Sequence, residues 1–355
     1  MEIALKEGLI EILKIAGKNP ILIECRNNVL YVGTYTDYHK FIYESPVQYE
    51  NFSVVISADI AKDLPDMIFG TMKVGEGFLQ FSDNKNNIKI SLSEDDISLK
   101  KLARGFVKEN VASFVGSDFR NAFNYTRHAS NDKSIGDVVL RGFHFLIKTD
   151  SSEVMASNGS MLSLVNINQT SPEFNSSELL LLNSDFIRLL KLFGDEEVFV
   201  GFNENSVSVF QEKENYTIRA ITARTSGKDL PYQSVIDSTK DSVLYHYVVD
   251  KAEFSRLIKQ LKVFSEERSS LTFYSTGEFT VSSSGKSGES SFEVPVLSHG
   301  DFPENNIGIK MNVSNLHSYL NSSRSDTVKI SIKDELSPML LEDSFGLEIL
   351  APLRK

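Results

Sequence analysis

The chain has 355 residues, of which 41% are apolar and 24% charged, a composition that is typical of globular proteins and excludes a largely disordered chain. Lysine and arginine number 37 against 48 aspartates and glutamates, a net charge of −11, which excludes nucleic-acid binding over the whole surface but allows a local basic strip. Cys25 is the only cysteine, so neither an intramolecular disulfide nor a cysteine-based zinc site is expected. We find no apolar run of the ~20 residues that span a membrane and no secretory signal. These features predict a soluble, cytoplasmic protein.

Six segments carry two apolar residues four positions apart after a polar or acidic residue, a pattern typical of amphipathic helices. In chain order, the apolar pairs are Leu9/Leu13, Ile60/Leu64, Phe119/Phe123, Phe186/Leu190, Phe254/Ile258 and Leu316/Leu320. Pro65 falls inside the second segment, so that helix is expected to be short or kinked. The successive intervals are 51, 59, 67, 68 and 62 residues, which indicates an internal repeat.

Apolar strands precede most of these helices, and alternating segments predict hairpins between them. The preceding strands are Phe52–Ile56, Glu178–Leu182, Tyr245–Val249 and Ile307–Met311. Hairpins are expected across Lys213–Asn215, Ser275–Gly277 and Asn158–Gly159, whereas the Ser- and Gly-rich stretch Ser282–Ser291 is expected to be a loop.

A strand–helix–strands unit of about 60 residues, repeated six times, predicts an α+β fold with two units per domain. The predicted domains are residues 1–112, 113–240 and 241–355, with boundaries near Asn110–Ser113 and Asp237–Asp241. The alternative is a coincidental mixture of helices and strands.

The sequence contains no recognisable catalytic or metal-binding motif. Gly285-Lys-Ser287 resembles the end of a phosphate-binding loop, but Thr280 stands where that loop needs glycine, and a strand follows instead of a helix. The histidines lie too far apart to share a metal ion on one helix: His39, His128, His144, His246, His299 and His317. We therefore expect no catalytic residue, metal or cofactor, and a binding protein rather than an enzyme.

The predicted helices are less acidic than the rest of the chain. The six helix windows are 6–18, 57–68, 117–128, 184–193, 250–263 and 314–324. They carry a net charge of +4, which leaves −15 for the remaining residues. Because charges are screened over about 8 Å at physiological salt, a helix-lined surface could contact DNA phosphates. The alternative is that these are ordinary solvent-exposed helices, which would explain the net charge of +4 equally well.

Several motifs, taken in order, resemble one family. They are Thr126-Arg-His-Ala-Ser-Asn-Asp132, Val139-Leu-Arg-Gly-Phe-His-Phe145, Met155-Ala-Ser-Asn-Gly-Ser-Met-Leu162, Asp229-Leu-Pro-Tyr232 followed by Val235-Ile236, Leu336-Ser-Pro-Met339 and Ile349-Leu-Ala-Pro-Leu-Arg354. The order and spacing of these motifs resemble those of the bacterial sliding clamps, the beta subunits of DNA polymerase III, over roughly residues 112–355. The first 110 residues resemble them mainly through the repeated helix–strand plan.

The resemblance implies three similar clamp domains per chain and a head-to-tail homodimer that closes into a ring around double-stranded DNA. Helices would line the hole and antiparallel sheets would lie outside, with Val263 and Phe264 at the dimer interface unless they belong to the core. The implied DNA-facing residues are Lys14, Arg120, Arg127, Arg141, Arg188, Lys191, Lys259 and Lys262. Implied partners are the polymerase III alpha subunit or its equivalent, the clamp loader and other proteins with a clamp-binding motif, and no membrane.

The family also has an apolar cleft that takes short linear motifs with leucine and aromatic anchors. The matching positions are Leu140, Ser157, Gly159, Met161, Leu162, Pro231, Val235, Asn312, Leu336, Pro338, Leu350, Pro352 and Leu353. Where the family commonly has Asp-Gly-His-Arg, this chain has Asn158-Gly-Ser-Met161, and Gln233-Ser234 replaces a basic pair. These departures predict a divergent clamp with altered partner preference.

Two alternatives follow from the same residues. The acidic balance and the weakly matching first domain fit a clamp-like adaptor that binds proteins without encircling DNA. The second alternative is an unrelated enzyme with an α+β fold, but no motif supports it.

Overall fold

The computed structural model describes residues 3–4, 7–36, 39–64, 70–82, 85–94, 97–130, 138–149, 151–171, 177–224, 231–264, 268–285 and 288–353. The helices in this part of the chain are α1 (Glu7–Ala16), α2 (Ala58–Ala61), α3 (Leu99–Ala103), α4 (Gly116–Thr126), α5 (Asn183–Leu190), α6 (Tyr232–Ser242), α7 (Lys251–Phe264) and α8 (Val313–Ser322). Short 3₁₀ turns follow at Arg127–Ala129 and Val138–Arg141.

The strands, in chain order, are β1 (Ile3–Ala4), β2 (Ile21–Arg26), β3 (Val29–Tyr35), β4 (His39–Pro46), β5 (Phe52–Ile56), β6 (Thr71–Gly75), β7 (Phe78–Ser82), β8 (Asn87–Ser91), β9 (Ala112–Val115), β10 (Gly142–Ile147), β11 (Ser152–Ser157), β12 (Met161–Ile167), β13 (Gln169–Ser171), β14 (Ser177–Leu182), β15 (Glu197–Phe202), β16 (Ser206–Lys213), β17 (Tyr216–Ala223), β18 (Tyr245–Asp250), β19 (Arg268–Phe273), β20 (Phe279–Gly285), β21 (Gly288–Glu293), β22 (Val296–His299), β23 (Ile307–Asn312), β24 (Thr327–Ile332), β25 (Met339–Glu342) and β26 (Gly346–Leu350).

The chain forms two compact units. The first contains Met1–Arg120, Leu146–Ser152 and Asn168–Ser226, and the second contains Asn121–Phe145, Glu153–Ile167 and Gly227–Lys355. The predicted division into three domains stays a prediction, and its second boundary falls inside α6.

The first unit contains two antiparallel sheets, with strand orders β1-β6-β7-β8 and β13-β9-β15-β16-β17-β4-β3-β2-β5. Helix α1 packs on β3 and β4 and buries Leu9, Ile12 and Leu13, which recur with helical spacing. On the same large sheet, Leu102 of α3 joins a buried cluster with Leu22 and Ile42. Burial of these apolar faces holds the helices on the sheet.

The second unit has sheets ordered β10-β11-β12-β26-β25-β24-β18-β22 and β21-β20-β19-β23. Helices α7 and α8 pack against each other, and α7 also contacts β20. The Phe273 and Phe279 rings stack in this core with centroids 4.4 Å apart. Both helices have polar caps, since Asp250 accepts a hydrogen bond from the Glu253 amide at 2.7 Å and Asn312 accepts one from the Ser314 amide at 2.9 Å.

The α+β prediction is confirmed, because all six predicted helices and the three predicted hairpins are present. The second helix is short, as expected, and Pro65 lies outside the described residues.

The loop predicted at Ser282–Ser291 is wrong. Described residues on both sides form the β20–β21 hairpin, in which Ser282 pairs with Ser291 and Ser283 with Ser290. Serine has little preference for strands, but β20 is hydrogen-bonded on both sides, to β19 and β21, and such pairing overrides local preference.

Candidate functional site

A cavity of about 250 Å³ opens in the second unit. Its lining is mostly aliphatic and comes from the β11–β12 turn, the ends of β12 and β26, the start of α6 and two loops. The lining residues are Leu140, Ser157, Gly159, Ser160, Met161, Leu162, Pro231, Tyr232, Val235, Pro338, Ile349 and Ala351. None of the described lining residues has a charged side chain. The volume is smaller than that of most drug-sized sites, so a few apolar side chains would fill it.

The floor of the cavity is the antiparallel pair β12–β26. Leu162 lies opposite Ile349 and Met161 opposite Leu350, and the Ala351 amide donates to the Ser160 carbonyl at 2.9 Å. The four paired residues are buried. The ladder therefore fixes the floor without contributing polar side chains to it.

The lip of the cavity is the tight turn between β11 and β12. Gly159 has a φ of 87°, which disfavours any residue with a Cβ. The Asn158 side-chain oxygen accepts from the Ser160 amide and hydroxyl and from the Met161 amide, at 3.0, 2.9 and 3.1 Å. The Ser157 hydroxyl donates to the Met161 carbonyl at 2.9 Å. The Ser160 hydroxyl also accepts from the Asn315 side-chain nitrogen of α8 at 3.0 Å, so the polar groups of the lip are engaged in hydrogen bonds within the protein.

Helix α6 forms one wall. Pro231 precedes its first turn, Tyr232 is buried, and Val235 remains 38% exposed beside the cavity. The His144 ring packs edge-on against Tyr232 with centroids 4.6 Å apart. A partly exposed valine on a rigid helix is a surface that an apolar partner could cover.

The structure brings eight of the thirteen predicted cleft residues together around this cavity: Leu140, Ser157, Gly159, Met161, Leu162, Pro231, Val235 and Pro338. Of the other five, Leu350 pairs with Met161 in the floor ladder and Asn312 caps α8. Pro352 and Leu353 follow β26, and the Leu353 amide donates to the Lys310 carbonyl at 2.8 Å. Leu336 is 75% exposed in a turn that the Asp334 carboxylate holds through the Leu336 and Ser337 amides.

Four lining residues were not predicted: Ser160, Tyr232, Ile349 and Ala351. Ser160 and Tyr232 lie inside the family-like motifs, next to residues that were chosen. Ile349 precedes the predicted Leu350, and strand neighbours point to opposite faces. An error of one residue in a strand therefore exchanges a lining residue for a core residue.

The predicted DNA-facing residues lie in different surroundings. Arg127, Lys191, Lys259 and Lys262 are exposed, whereas Arg141 is half-buried. The side chains of Lys14, Arg188 and the predicted interface residue Phe264 lie outside the described residues. Val263 is 74% exposed at the end of α7, which is inconsistent with a core role within this chain.

Arg120 has a structural role of its own. Its guanidinium donates to the Phe193 carbonyl at 2.6 Å and also to the Gly194 carbonyl and the Asp195 carboxylate. These groups follow α5, so Arg120 joins α4 to the end of that helix. Its charge is therefore already compensated.

Helices α7 and α8 share a positive field. His317 of α8 has a lowered pKa, mainly because it is partly buried and further because Lys262 and Lys259 are near. Its Nδ1 lies 3.1 Å from the Asn321 side-chain nitrogen. The two lysines therefore act on the same surface as His317.

Among the described residues, no cluster of three His, Cys, Asp or Glu side chains is placed to hold a metal ion. In the same part of the chain, no helix combines the length and apolar character that a membrane crossing requires.

Neither a protein-family model nor a curated protein sequence matches the chain. Solved structures match along its whole length. The DNA polymerase III subunit beta of Pseudomonas aeruginosa has a TM-score of 0.82 at 15% identity, with 100% of both chains covered. For the DNA polymerase sliding clamp of Bacillus subtilis the TM-score is 0.83 at 14% identity, covering 100% of this chain and 98% of that one. The DNA polymerase III beta subunit of Thermotoga maritima gives 0.82 at 15% identity, covering 100% and 99%. The chain therefore has the fold that its ordered motifs predict, that of the bacterial DNA polymerase III beta sliding clamps.

Proposed function

We propose that this chain is a non-catalytic DNA sliding clamp, two copies of which close head-to-tail into a ring around duplex DNA. The match to solved clamps over the whole chain is the observation that supports this most strongly. A ring holds DNA by enclosing it, so it needs neither a reaction nor a strongly basic surface. A net charge of −11 is compatible with such a role.

The edges of two sheets support ring closure between copies. Strand β8 is outermost in its sheet of the first unit, and β21 is outermost in its sheet of the second unit. Lys89 is exposed on β8, whereas Glu289 and Glu293 are exposed on β21. Joining β8 of one copy to β21 of the next would pair unlike charges and cover two open edges. Unlike surfaces that close on each other form rings.

The apolar cavity would tether the DNA polymerase III alpha subunit or its equivalent, the clamp loader and other partners. Its lining suits leucine and aromatic anchors of a short peptide, and Met161 can adapt to anchors of different shape. The alternative is an adaptor of the same fold that binds such peptides without encircling DNA. The acidic balance of the chain favours that alternative.

Topological retention on DNA separates the clamp from the adaptor. Monomers would be diluted, mixed with a nicked circular plasmid and concentrated so that rings form around it. We expect the protein to coelute with the plasmid at 0.5 M NaCl and to be released when a restriction enzyme linearises the circle. Equal elution with circular and linear DNA would favour the adaptor.

Peptide binding tests the cavity separately. Fluorescence anisotropy of labelled Gln-Leu-Ser-Leu-Phe should give a dissociation constant on the order of micromolar, about −8 kcal/mol, which is lost when both leucines and the phenylalanine are alanine. Val235→Asp places a charge on the exposed wall and should weaken binding at least tenfold. Ser234→Asp is the matched control, because Ser234 is the preceding, exposed residue of α6 and does not line the cavity. Equal loss in both variants would contradict the assignment of the cavity.

A further inference from the structure

A buried polar cluster lies beside the floor of the cavity. In the β12–β26 ladder, the rung that follows Leu162–Ile349 is Ser163–Glu348. The Glu348 side chain is 0% exposed, and its Oε2 lies 3.2 Å from Nε2 of His128, which is 9% exposed. A carboxyl group and an imidazole thus form a buried pair one rung away from residues that line the cavity.

Other polar groups face this pair from each neighbouring element. Tyr125 of α4 and Tyr319 of α8 pack with ring centroids 6.3 Å apart, and burial raises the pKa of both phenols, so they stay neutral. Asp343 lies in the β25–β26 turn, where its Oδ1 accepts from the Phe345 and Gly346 amides at 2.8 Å each. Glu342 of β25 adds a further negative charge near Tyr319. Arg324 lies over the Phe345 ring at 5.9 Å.

The Tyr125 and Tyr319 hydroxyls hydrogen-bond each other, and the Ser163 hydroxyl hydrogen-bonds Glu348, whereas His128 Nδ1 and Asp343 Oδ2 are buried without a hydrogen-bond partner among the described residues. Native proteins leave few such atoms. Burial raises the pKa of Glu348 and the Asp343 carboxylate raises it further, while His128 and a hydrogen bond from Ser163 oppose these two effects. The Glu348 carboxyl group therefore binds a proton with higher affinity than an exposed carboxyl group does.

We infer that the buried Glu348 carboxyl group keeps its proton beside His128 and that the pair acts as positioning residues for the cavity floor, so that loss of the Glu348 proton weakens peptide binding. This inference rests on the proposed peptide-binding function of the cavity. With its proton, the Glu348 carboxyl group is neutral and lies within hydrogen-bonding distance of Nε2 of His128. Without this proton, a carboxylate remains in a site that excludes water and also contains the Asp343 carboxylate, which is unfavourable. Because Ser163–Glu348 is the rung next to Leu162–Ile349, a displacement of β26 against β12 would also move these two lining residues.

The inference is tested by measuring the affinity of the full chain for labelled Gln-Leu-Ser-Leu-Phe by fluorescence anisotropy as a function of pH. Between pH 6.0 and 8.5 we expect the dissociation constant of the unmodified protein to rise at least threefold. Glu348→Gln keeps an acceptor for His128 but cannot ionise, so its affinity should stay constant over this range. His128→Gln removes the imidazole that opposes the raised pKa of Glu348, so the pH dependence should persist with its midpoint at a higher pH.

A second histidine provides the control. His144 packs on Tyr232 of the cavity wall, so His144→Gln should keep the pH dependence if the His128–Glu348 pair causes it. Dependence that persists in Glu348→Gln and vanishes in His144→Gln would overturn the inference. Binding that does not vary with pH in the unmodified protein would overturn it too, while leaving the proposed function intact. Absence of binding at every pH would overturn both.

Unfolding by urea gives a readout that needs no peptide. The folded-state pKa of Glu348 lies above its unfolded-state value, which is about 4.3. The unfolded chain therefore releases this proton first, and stability should fall as pH rises from that value through the folded-state pKa. Glu348→Gln should remove this part of the slope. An unchanged slope would show that the carboxyl group does not hold the proton and would overturn the inference.

Discussion

At the scale of single residues, the lip of the cavity depends on the backbone of Gly159. Its φ of 87° is costly for a residue with a Cβ, yet a Cβ placed there would meet nothing within 4 Å. The conformation and not the available space therefore requires glycine. The Asn158 side-chain oxygen then fixes the turn by accepting hydrogen bonds from the Ser160 and Met161 amides.

Gly159→Ala should destabilise the protein by about 1–2 kcal/mol through backbone strain alone. It should also weaken peptide binding severalfold, because the strained turn forms the lip. Gly77→Ala is the matched control, since Gly77 has a φ of 72°, equal free space and a position in the β6–β7 hairpin of the first unit, where it does not line the cavity. Urea denaturation should show similar losses of stability for both variants, and peptide anisotropy should show a loss of affinity for Gly159→Ala only. Equal affinities would exclude the lip from recognition.

At the scale of secondary-structure elements, the sequence predicts those that combine a clear apolar period with polar ends. Helices α7 and α8 have both, and the Asp250 and Asn312 caps are visible in the sequence. Helix α6 was missed because it is rich in Ser, Thr and Asp, which favour turns. Its signal was the spacing of Tyr232, Ile236 and Thr239, its buried residues. The Thr239 hydroxyl also donates to the Val235 carbonyl at 2.8 Å, which satisfies a side chain that would otherwise compete with the helix.

The cavity could be predicted from the sequence only in part. Motif similarity identified segments, but neither charge nor hydrophobicity distinguishes Met161, which lines the cavity, from its ladder partner Leu350, which does not. The pairing of β12 with β26 joins residues almost 190 positions apart, and no local pattern specifies that register. The structural role of Arg120 could not be predicted from local sequence either, because its hydrogen-bond partners are distant in sequence and follow a different helix, α5.

Helix α7 is the element on which the DNA-contact prediction can be tested most directly, because Lys259 and Lys262 are both exposed there. Replacing both by alanine should weaken binding to a short duplex at low salt. If each lysine contacts one phosphate, the slope of log K against log salt should decrease by about 1.8 in magnitude. The control Lys240→Ala with Lys333→Ala removes the same charge from exposed sites outside α7 and α8. Electrophoretic mobility shifts over a salt series would measure the affinity and the slope for the two double variants. Equal slopes would show that Lys259 and Lys262 do not contact DNA phosphates.

At the scale of the whole molecule, the repeat explains how a weakly matching first segment can still be assigned to the fold. Helix α1 buries Leu9 and Leu13 on β3 and β4, so the periodicity of these two residues predicts a helix even where motifs are absent. The proposed assembly is different, because it would depend on unlike edges that meet only between copies. The sequence contains those charges, but only the strand order shows that Lys89 and Glu289 lie on outermost strands.

The proposed ring closure predicts that charge at the β8 edge controls dimerisation. Lys89→Glu would place a third acid beside Glu289 and Glu293, and like charges across strands are unfavourable. Since a closed ring contains the contact twice, we expect dimer affinity to fall at least tenfold. The double variant Glu289→Lys with Glu293→Lys should by itself weaken the dimer. Combined with Lys89→Glu, the same double variant should restore dimerisation.

Lys73→Glu is the matched control, because Lys73, Gln80 and Lys89 form one cross-strand row and Lys73 lies two strands from the β8 edge. Sedimentation velocity would measure each variant. A dimer that tolerates Lys89→Glu, or a charge swap without recovery, would show that these edges do not meet and would require another interface for the ring.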